Sequence, residues 1–539
     1  MNRKNLTAAV LAGLAGAAGI VGSAQAVNIN PDGLGQVLIY PYYTTNNNNV
    51  TLLSVVNTSE DAKAVKVRFT EGQNTREVLD FNLYMSAYDV WTASIYMNGD
   101  GVPQLETADT SCTVPYLYGN GGTQEFLPYA LTDGGSTDIS RATEGHFEMI
   151  EMGVLTDETE GSATAATHKN GVPNDCAQLV EAWTDPDDTK AGDEGYWLMD
   201  PFTDMSAPTG GLFGGAAIVN VEAANMASYD ATAINGFATD VLSNNASLHQ
   251  YPGSVLPSLN SGNVFDGTVF LDNGATQNSG NLPRGVDAVS YVFMRDQVMN
   301  EYTTELSTLA RTEWVVTFPT KHFYVYQPSA GAYDVPVAPF TSVWDGEADD
   351  PTACEVVLLD TIWDREERTV IDPVDPGAPI PPIVSPRPPG EVIEPNPIVP
   401  FELCYETSVI SFGDADLVGA ASAMLGSSNF HNIDNAVLGF ENGWARLQMD
   451  DYPYDANLDG QIDSEEAKFS RASLGDLNGL PVTGFAVQTF KNGFIGEGGN
   501  TIGNYGGIYQ HKYTRKLGSD LGFGPCDVTG DPCAPAEGQ

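Results

Sequence analysis

The stretch Val65-Lys-Val-Arg-Phe69 decides the class of the fold, because apolar and charged side chains alternate strictly along it. Residues 79–85 alternate in the same way, and the turn-rich stretch 71–74 lies between the two runs. A period of two is typical of β-strands that place one face on a core. Strands of this length, separated by short turns, predict an antiparallel β-sandwich.

The same pattern continues along the chain. Fifty-six glycines and thirty-three prolines in 539 residues fit a loop-rich β protein better than a helical one. One region differs, since apolar residues at nearly helical spacing over residues 286–310 predict one or two helices. We therefore predict a mainly β protein of antiparallel sandwich units that resemble bacterial immunoglobulin-like domains, with long loops and one or two short helical segments. Further predicted strands cover residues 146–154, 216–221, 313–326 (interrupted by Pro319), 404–412, 444–449 and 482–490.

Composition divides the chain after residue 26 into four parts. A β-rich region of one or two sandwich units is expected over residues 27–345. A cysteine-flanked, proline-rich arm is expected over 346–405, because residues 373–400 have the composition of polyproline II or disordered chain. A second β region, 406–525, precedes a short disulfide turn and tail at 526–539. No internal repeat of fixed period is found.

The N-terminus predicts export. Arg3 and Lys4 precede an apolar segment rich in alanine and glycine, and Ala24-Gln-Ala26 provides the small-x-small cleavage pattern of a signal peptide. We expect residues 1–26 to be removed and the mature chain to begin at Val27. After cleavage, no apolar run approaches the roughly 20 residues that a membrane-spanning helix needs. The predicted location is secreted, extracellular or on the cell surface, with the periplasm as an alternative.

The six cysteines of an exported chain favour disulfides. Fifteen pairings are open to six cysteines. The order along the chain favours Cys526 with Cys533 and Cys354 with Cys404, each bracketing a turn or arm, which leaves Cys112 with Cys176. No CxxC spacing supports metal binding by these thiols.

The net charge of −48 excludes several classes of partner. Loss of Arg3 and Lys4 with the leader brings the net charge to −50. Such a charge repels nucleic acid and anionic lipid headgroups, and it attracts divalent cations. Adaptation to salty surroundings is an equally good explanation of the charge.

One motif is specific enough to name a ligand: Asp455-Ala-Asn-Leu-Asp-Gly-Gln-Ile-Asp-Ser-Glu-Glu466. It supplies oxygen at every position that a twelve-residue calcium loop requires, with Gly460 at the sharp turn. The predicted metal ligands are Asp455, Asn457, Asp459, Gln461 (through its carbonyl), Asp463 (through water) and Glu466 (through both oxygens).

The loop is similar to those of the EF-hand and dockerin families, over these twelve residues and the turn that follows. The resemblance implies calcium as the cofactor. Residues 464–474 can form an exiting helix, whereas Pro453 and the strand-like residues 444–449 leave no incoming helix. No second loop pairs with it, so the resemblance implies a structural ion rather than a sensor.

Enzyme signatures are missing from the sequence, which has no HExxH, GxSxG or GxxxxGK[ST] motif. We predict no catalytic residue, although His146 and Glu148 share one strand face. Two weaker features remain: further acidic clusters at 185–194 and 345–350, and aromatic residues that form either a sugar-stacking platform or part of the core. The aromatic residues are Tyr40, Tyr42, Tyr43, Trp91 and Tyr96.

Together these features predict an exported, calcium-binding structural or adhesive protein of the bacterial cell surface or extracellular matrix. Its expected partners are further copies of itself or a cell-surface polymer. The alternative is a secreted carbohydrate-binding protein or hydrolase in which calcium is a structural ion.

Overall fold

A computed structural model describes residues 26–184, 195–239, 247–326, 336–347, 352–367, 400–413, 419–434, 441–450, 452–453, 468–469, 473–495 and 501–518. The fold is mainly β, with several antiparallel sheets and few short helices, as predicted. The described α-helices are α1 (Ser162–Ala166), α2 (Cys176–Glu181), α3 (Tyr196–Met199), α4 (Gly285–Phe293) and α5 (His322–Val325), and short 3-10 helices cover Asn46–Asn48, Tyr118–Asn120, Pro128–Ala130, Ile139–Thr143 and Leu306–Thr308. None of them is long and apolar enough to cross a membrane.

The N-terminal half contains the first sandwich and two separate two-stranded sheets. Its strands are β1 (Asn28–Ile29), β2 (Val37–Thr44), β3 (Val50–Asn57), β4 (Lys63–Glu71), β5 (Glu77–Met85), β6 (Val90–Met97), β7 (Pro103–Glu106), β8 (Cys112–Val114), β9 (Thr123–Glu125), β10 (Glu144–Leu155), β11 (His168–Lys169), β12 (Val172–Pro173), β13 (Met205–Ser206), β14 (Leu212–Asn220), β15 (Asn225–Asp230), β16 (Thr232–Asn235), β17 (Thr268–Phe270) and β18 (Thr276–Asn278). The separate sheets are β11-β12 and β17-β18. In the sandwich, one sheet has the order β1-β16-β2-β10-β4-β5-β8, with β13 beside β10, and the facing sheet has the order β15-β14-β3-β6-β7-β9.

The alternation in β4 places Val65, Val67 and Phe69 in the core between these two sheets. The opposite face of β4 is buried too, because α4 and the segments around α1–α3 pack over that side of the sheet. Both charged residues of that face therefore have carboxylate partners. Lys66 pairs with Asp80, and Arg68 pairs with Glu77 at 2.8 Å and also with Glu148. The expected half-buried strand is thus a fully buried one.

The C-terminal half contains the second sandwich and three separate two-stranded sheets. Its strands are β19 (Met294–Arg295), β20 (Gln297–Thr303), β21 (Arg311–Thr317), β22 (Glu355–Asp364), β23 (Pro400–Leu403), β24 (Thr407–Gly413), β25 (Phe430–Asp434), β26 (Asn442–Gln448), β27 (Tyr452–Pro453), β28 (Lys468–Phe469), β29 (Leu477–Asn478), β30 (Leu480–Pro481), β31 (Thr483–Ile495), β32 (Thr501–Gln510), β33 (Lys512–Thr514) and β34 (Lys516–Leu517). The separate sheets are β19-β30, β27-β28 and β29-β34. In the sandwich, two five-stranded sheets have the orders β23-β22-β26-β20-β33 and β25-β24-β21-β31-β32.

The sheet that contains β21 is shared between two cores. Trp314 and Val316 pack inside the second sandwich, whereas Val315 belongs to the core of the first. Across the junction, the rings of Tyr229 and Phe485 stack with centroids 4.8 Å apart. The second sandwich takes strands from both sides of residue 345, since β20 and β21 pair with strands that follow it.

Two predicted elements are shorter than expected. The one or two helices predicted over 286–310 are α4 and a single 3-10 turn at Leu306–Thr308. Between them, residues 297–303 form β20, which places Val298 and Tyr302 in the second core. A strand period of two accounts for those two residues as well as a helical spacing does. The strand predicted over 313–326 ends at Thr317, and the residues after Pro319 form α5.

Both predicted disulfides within the described residues are present: Cys112–Cys176 and Cys354–Cys404. The predicted Cys526–Cys533 pair lies outside the described residues. Beside the second disulfide, β22 and β23 form a ladder at the base of the predicted arm. The excursion between these two strands therefore comprises residues 365–399, whose proline-rich part lies outside the described residues.

Candidate functional site

The six predicted calcium ligands, residues 455, 457, 459, 461, 463 and 466, lie outside the described residues. The structure does describe the base of this loop. Tyr452 pairs with Phe469 and Pro453 pairs with Lys468 in an antiparallel ladder between β27 and β28. The two ends of the ligand-bearing segment are therefore held one strand spacing apart, about 5 Å.

The second strand of this ladder corrects one prediction. Residues 464–474 were expected to form an exiting helix, yet Lys468–Phe469 is a β-strand. The chain before the loop is also extended, as predicted, in β26 and β27. The residues described on both sides of the loop thus form strands rather than the helix pair of a calcium sensor.

The chain segments before and after the predicted calcium loop both contact the same short strand, β34. On the incoming side, Asp450 is 2 % exposed and pairs with Lys516 of β34 at 2.7 Å. On the outgoing side, Leu477 and Asn478 of β29 pair with Leu517 and Lys516. The two segments that flank the calcium loop are therefore anchored next to each other on β34.

Of the other acidic candidates, the structure describes only residues 345–347 of the cluster at 345–350. Asp345 accepts a hydrogen bond at 3.0 Å from the backbone N–H of Glu347, which closes a local turn. The cluster at 185–194 lies outside the described residues. In the described part of the chain, a further grouping of Cys354, Glu402 and Cys404 has the spacing of metal ligands. Its two sulfur atoms are joined in a disulfide, so no thiolate is present to bind a metal.

Of the five aromatic residues considered for a sugar platform, four belong to the core, whereas Tyr96 is only partly buried. Tyr40, Tyr42, Tyr43 and Trp91 are completely buried. Tyr40 stacks on Phe147 with a centroid distance of 4.2 Å. These rings face the interior of the first sandwich and are inaccessible to a polysaccharide.

The pair His146 and Glu148 lies on one face of β10, but both side chains are buried. Burial lowers the pKa of His146 to about 3, helped by the nearby Arg68 guanidinium. Burial raises the pKa of Glu148, although its ion pair with Arg68 opposes the shift. Neither group reaches solvent, so the two do not form an acid–base pair for an external substrate.

An aromatic surface that the sequence did not reveal lies on the second sandwich. Trp363 of β22 and Trp444 of β26 are direct cross-strand partners, and Glu301 of β20 is opposite Trp444 on the other side. Their neighbours Ile362 and Ala445 point into the core. Because neighbouring residues alternate between faces, the two indole rings and the carboxylate form one row on the outer face.

Comparisons of this chain with models of protein families, with curated proteins and with solved structures found no match.

Proposed function

We propose that this protein is an exported, calcium-binding structural or adhesive protein of the bacterial cell surface or extracellular matrix. The calcium ion is held by Asp455, Asn457, Asp459, Gln461, Asp463 and Glu466. The observation that carries the proposal is the oxygen spacing of this loop, which corresponds to a twelve-residue calcium loop at every ligand position.

The charges of the loop make the bound ion stabilising. Asp455, Asp459, Asp463 and Glu466 bring four negative charges into one short segment, where they repel one another without a cation. A hard divalent ion takes six to eight such oxygens and removes that repulsion. Because ladder β27–β28 closes the loop at its base, the proposed ion would bind between two chain ends that are held close together.

A stabilising role agrees better with the surroundings than a signalling role does. Sensors respond by opening a pair of helices, whereas strands β27 and β28 flank this loop. Asp450 and β29 attach its two stems to β34. The ion would therefore stabilise the second sandwich at the point where the calcium loop is attached to it.

Export and surface location rest on the leader at residues 1–26, and two disulfides agree with an oxidising compartment. With a net charge near −50 after processing, the subunits repel one another at low ionic strength. Divalent cations relieve this repulsion, so the protein assembles with itself or attaches to a surface polymer when calcium is present.

Calorimetric titration with calcium tests the proposed ion site. The titration is run in magnesium-containing buffer, because a highly acidic surface also binds divalent cations without selectivity. We expect the wild-type protein to bind one calcium ion that Glu466→Gln loses. The control variant Glu347→Gln removes an equal charge from a loop outside the site and keeps that ion. Equal calcium binding in the wild-type protein and Glu466→Gln would refute the site.

Immunogold microscopy of the producing cells, with light scattering of the purified protein, tests the proposed location and assembly. We expect label on the outer surface and a particle that grows with calcium at fixed ionic strength. Label confined to the cytoplasm would contradict export. A particle that remains monomeric with and without calcium would contradict calcium-dependent assembly.

The alternative function, carbohydrate binding, gains one specific observation. Trp363 and Trp444 form an aromatic row beside Glu301 on the outer sheet face, and Trp444 is 38 % exposed. Aromatic faces beside a carboxylate suit the apolar faces and hydroxyl groups of a sugar. Retention of the wild-type protein, but not Trp444→Ala, on immobilised polysaccharides would favour this function. Equal retention of both would exclude this row as the binding surface.

A further inference from the structure

A cavity of about 330 Å³ lies where the two sandwiches meet. Its walls combine aromatic side chains, among them Tyr229, Phe293 and Phe485, with polar ones such as Gln510 and His511. Thr232 contributes a hydroxyl group, and Arg295 lies on the wall with one of the positive charges that are scarce in this protein. The volume is at the lower end of that of small-molecule sites.

Arg295 is 4 % exposed, and the protein provides acceptors for only some of its hydrogen-bond donors. Its Nη1 donates to the carbonyl oxygens of Val292 and Met294 at 2.9 and 2.8 Å. The guanidinium carbon lies 3.7 Å from the centroid of the Tyr513 ring. The N–H groups on Nε and Nη2 have no acceptor among the described residues, although a guanidinium offers five donors in all.

Other buried arginines of the described chain are paired with carboxylates. Arg141 contacts both Glu71 and Asp133, and Arg68 likewise contacts two carboxylates. No carboxylate of the described residues forms an ion pair with Arg295. The one carboxylate on the cavity wall, Asp230, is exposed and forms no ion pair with it.

A second guanidinium increases the positive charge. Arg515 donates through Nη2 to the carbonyl oxygen of Val292 at 3.0 Å, the same oxygen that Arg295 binds. Its guanidinium carbon lies 4.9 Å from the centroid of the same Tyr513 ring, and its Nε is buried without a partner. Because they share this oxygen, Nη1 of Arg295 and Nη2 of Arg515 are at most about 6 Å apart.

The protonation equilibria reflect this crowding. Burial, and then the charge of Arg515, lower the pKa of Arg295 to about 9. Burial alone would raise the pKa of Tyr513, but the two guanidinium groups outweigh burial and lower it. An uncompensated buried positive charge is costly, so the site favours a negative partner.

We propose that this cavity binds a small organic carboxylate whose oxygen atoms accept hydrogen bonds from Nε and Nη2 of Arg295. A planar guanidinium fork is suited to a carboxylate and forms short, charge-assisted hydrogen bonds with it. The apolar part of the ligand would lie against Phe293 and Phe485. The inference is independent of the proposed calcium site.

The test uses benzoate as the probe and follows its binding by saturation-transfer NMR, with chloride exchanged for benzoate at constant ionic strength. We expect saturable binding that Arg295→Met weakens by about tenfold or more, since a charged hydrogen bond is lost. Lys512→Met is the matched control, because it removes a positive charge from an exposed side chain of β33 that is not part of the cavity wall. It should leave benzoate binding unchanged.

Stability without ligand gives a second readout. Because Arg295→Met removes an unpaired buried charge, its melting temperature in chloride should equal or exceed that of the wild-type protein. If this variant does not fold, Arg295→Lys keeps the charge without the planar fork and should weaken benzoate binding severalfold. No saturable binding to the wild-type protein, or equal binding to the wild-type protein and an Arg295 variant, would overturn the proposal.

Discussion

The ring of His249 provides a quantitative prediction about stability in acid. It is completely buried and lies against Trp183 and Trp197, with ring centroids 5.0 and 4.6 Å away. Its Nδ1 is 2.7 Å from the carbonyl oxygen of Pro201, which can only accept, so Nδ1 carries the proton. The Tyr84 hydroxyl, 3.0 Å from Nε2, then donates to that nitrogen.

Protonation of Nε2 would disturb this arrangement. A protonated Nε2 can no longer accept the hydrogen bond from the Tyr84 hydroxyl. The Tyr84 oxygen in turn already accepts a hydrogen bond from Trp183 at 2.9 Å. A positive charge would also become buried. Burial, assisted by the charge of Lys66, accordingly lowers the pKa of His249 to about 4.

The consequence for stability follows from the difference between the folded and unfolded states. An unfolded histidine titrates near pH 6.5, so neutral His249 contributes its full stabilisation above that pH. The contribution is lost as the pH falls from 6.5 toward 4, since the unfolded chain takes up the proton first. The loss attributable to this one residue is about 2 kcal/mol at pH 5 and about 3 kcal/mol at pH 4.

Urea denaturation at pH 8 and pH 5, followed by tryptophan fluorescence, measures this loss. His249→Asn can keep the hydrogen bond to Pro201 without the titrating ring. Between pH 8 and pH 5, the free energy of unfolding of this variant should therefore fall by about 2 kcal/mol less than that of the wild-type protein. His168→Asn is the control, because that ring is partly exposed. An equal pH dependence in the wild-type protein and His249→Asn would refute the reasoning.

Two further changes test the interior and the base of the arm. Lys63→Met should destabilise the fold by about 3–5 kcal/mol in urea, because it leaves the fully buried Glu151 without its partner at 2.6 Å; a change below about 1 kcal/mol would show that the charge is compensated otherwise. Replacing Cys354 and Cys404 together by serine opens a disulfide between residues 50 positions apart. The chain-entropy model then predicts a loss of about 4 kcal/mol, and an unchanged urea midpoint would contradict it.

The sequence predicted the β class and two disulfides, because alternation and cysteine order are local properties of the chain. It did not predict that Lys66 and Arg68 lie buried, since that depends on which distant segments fold over the sheet. For the same reason, Tyr40 and Trp91 could not be assigned to the core from sequence alone, although burial is their commoner position.

The surface row and the cavity were missed for a different physical reason. Trp363 lies in the range assigned to the proline-rich arm, so its pairing with Trp444 across two strands was not expected. The apolar run around Trp363 was the available signal. The missing carboxylate partner of Arg295 depends on three-dimensional packing, and no residue spacing reveals it.

The melting temperature in calcium and in chelator tests the central proposal most directly. In millimolar calcium, a site with a dissociation constant of about 10⁻⁴ to 10⁻³ M stabilises the folded state by about 0.4–1.4 kcal/mol. We predict a rise in the melting temperature with calcium that saturates and that Glu466→Gln largely removes, while this variant in chelator melts at the wild-type temperature or slightly above. A wild-type melting curve that is identical in calcium and in chelator would contradict the proposal of a stabilising calcium ion at residues 455–466.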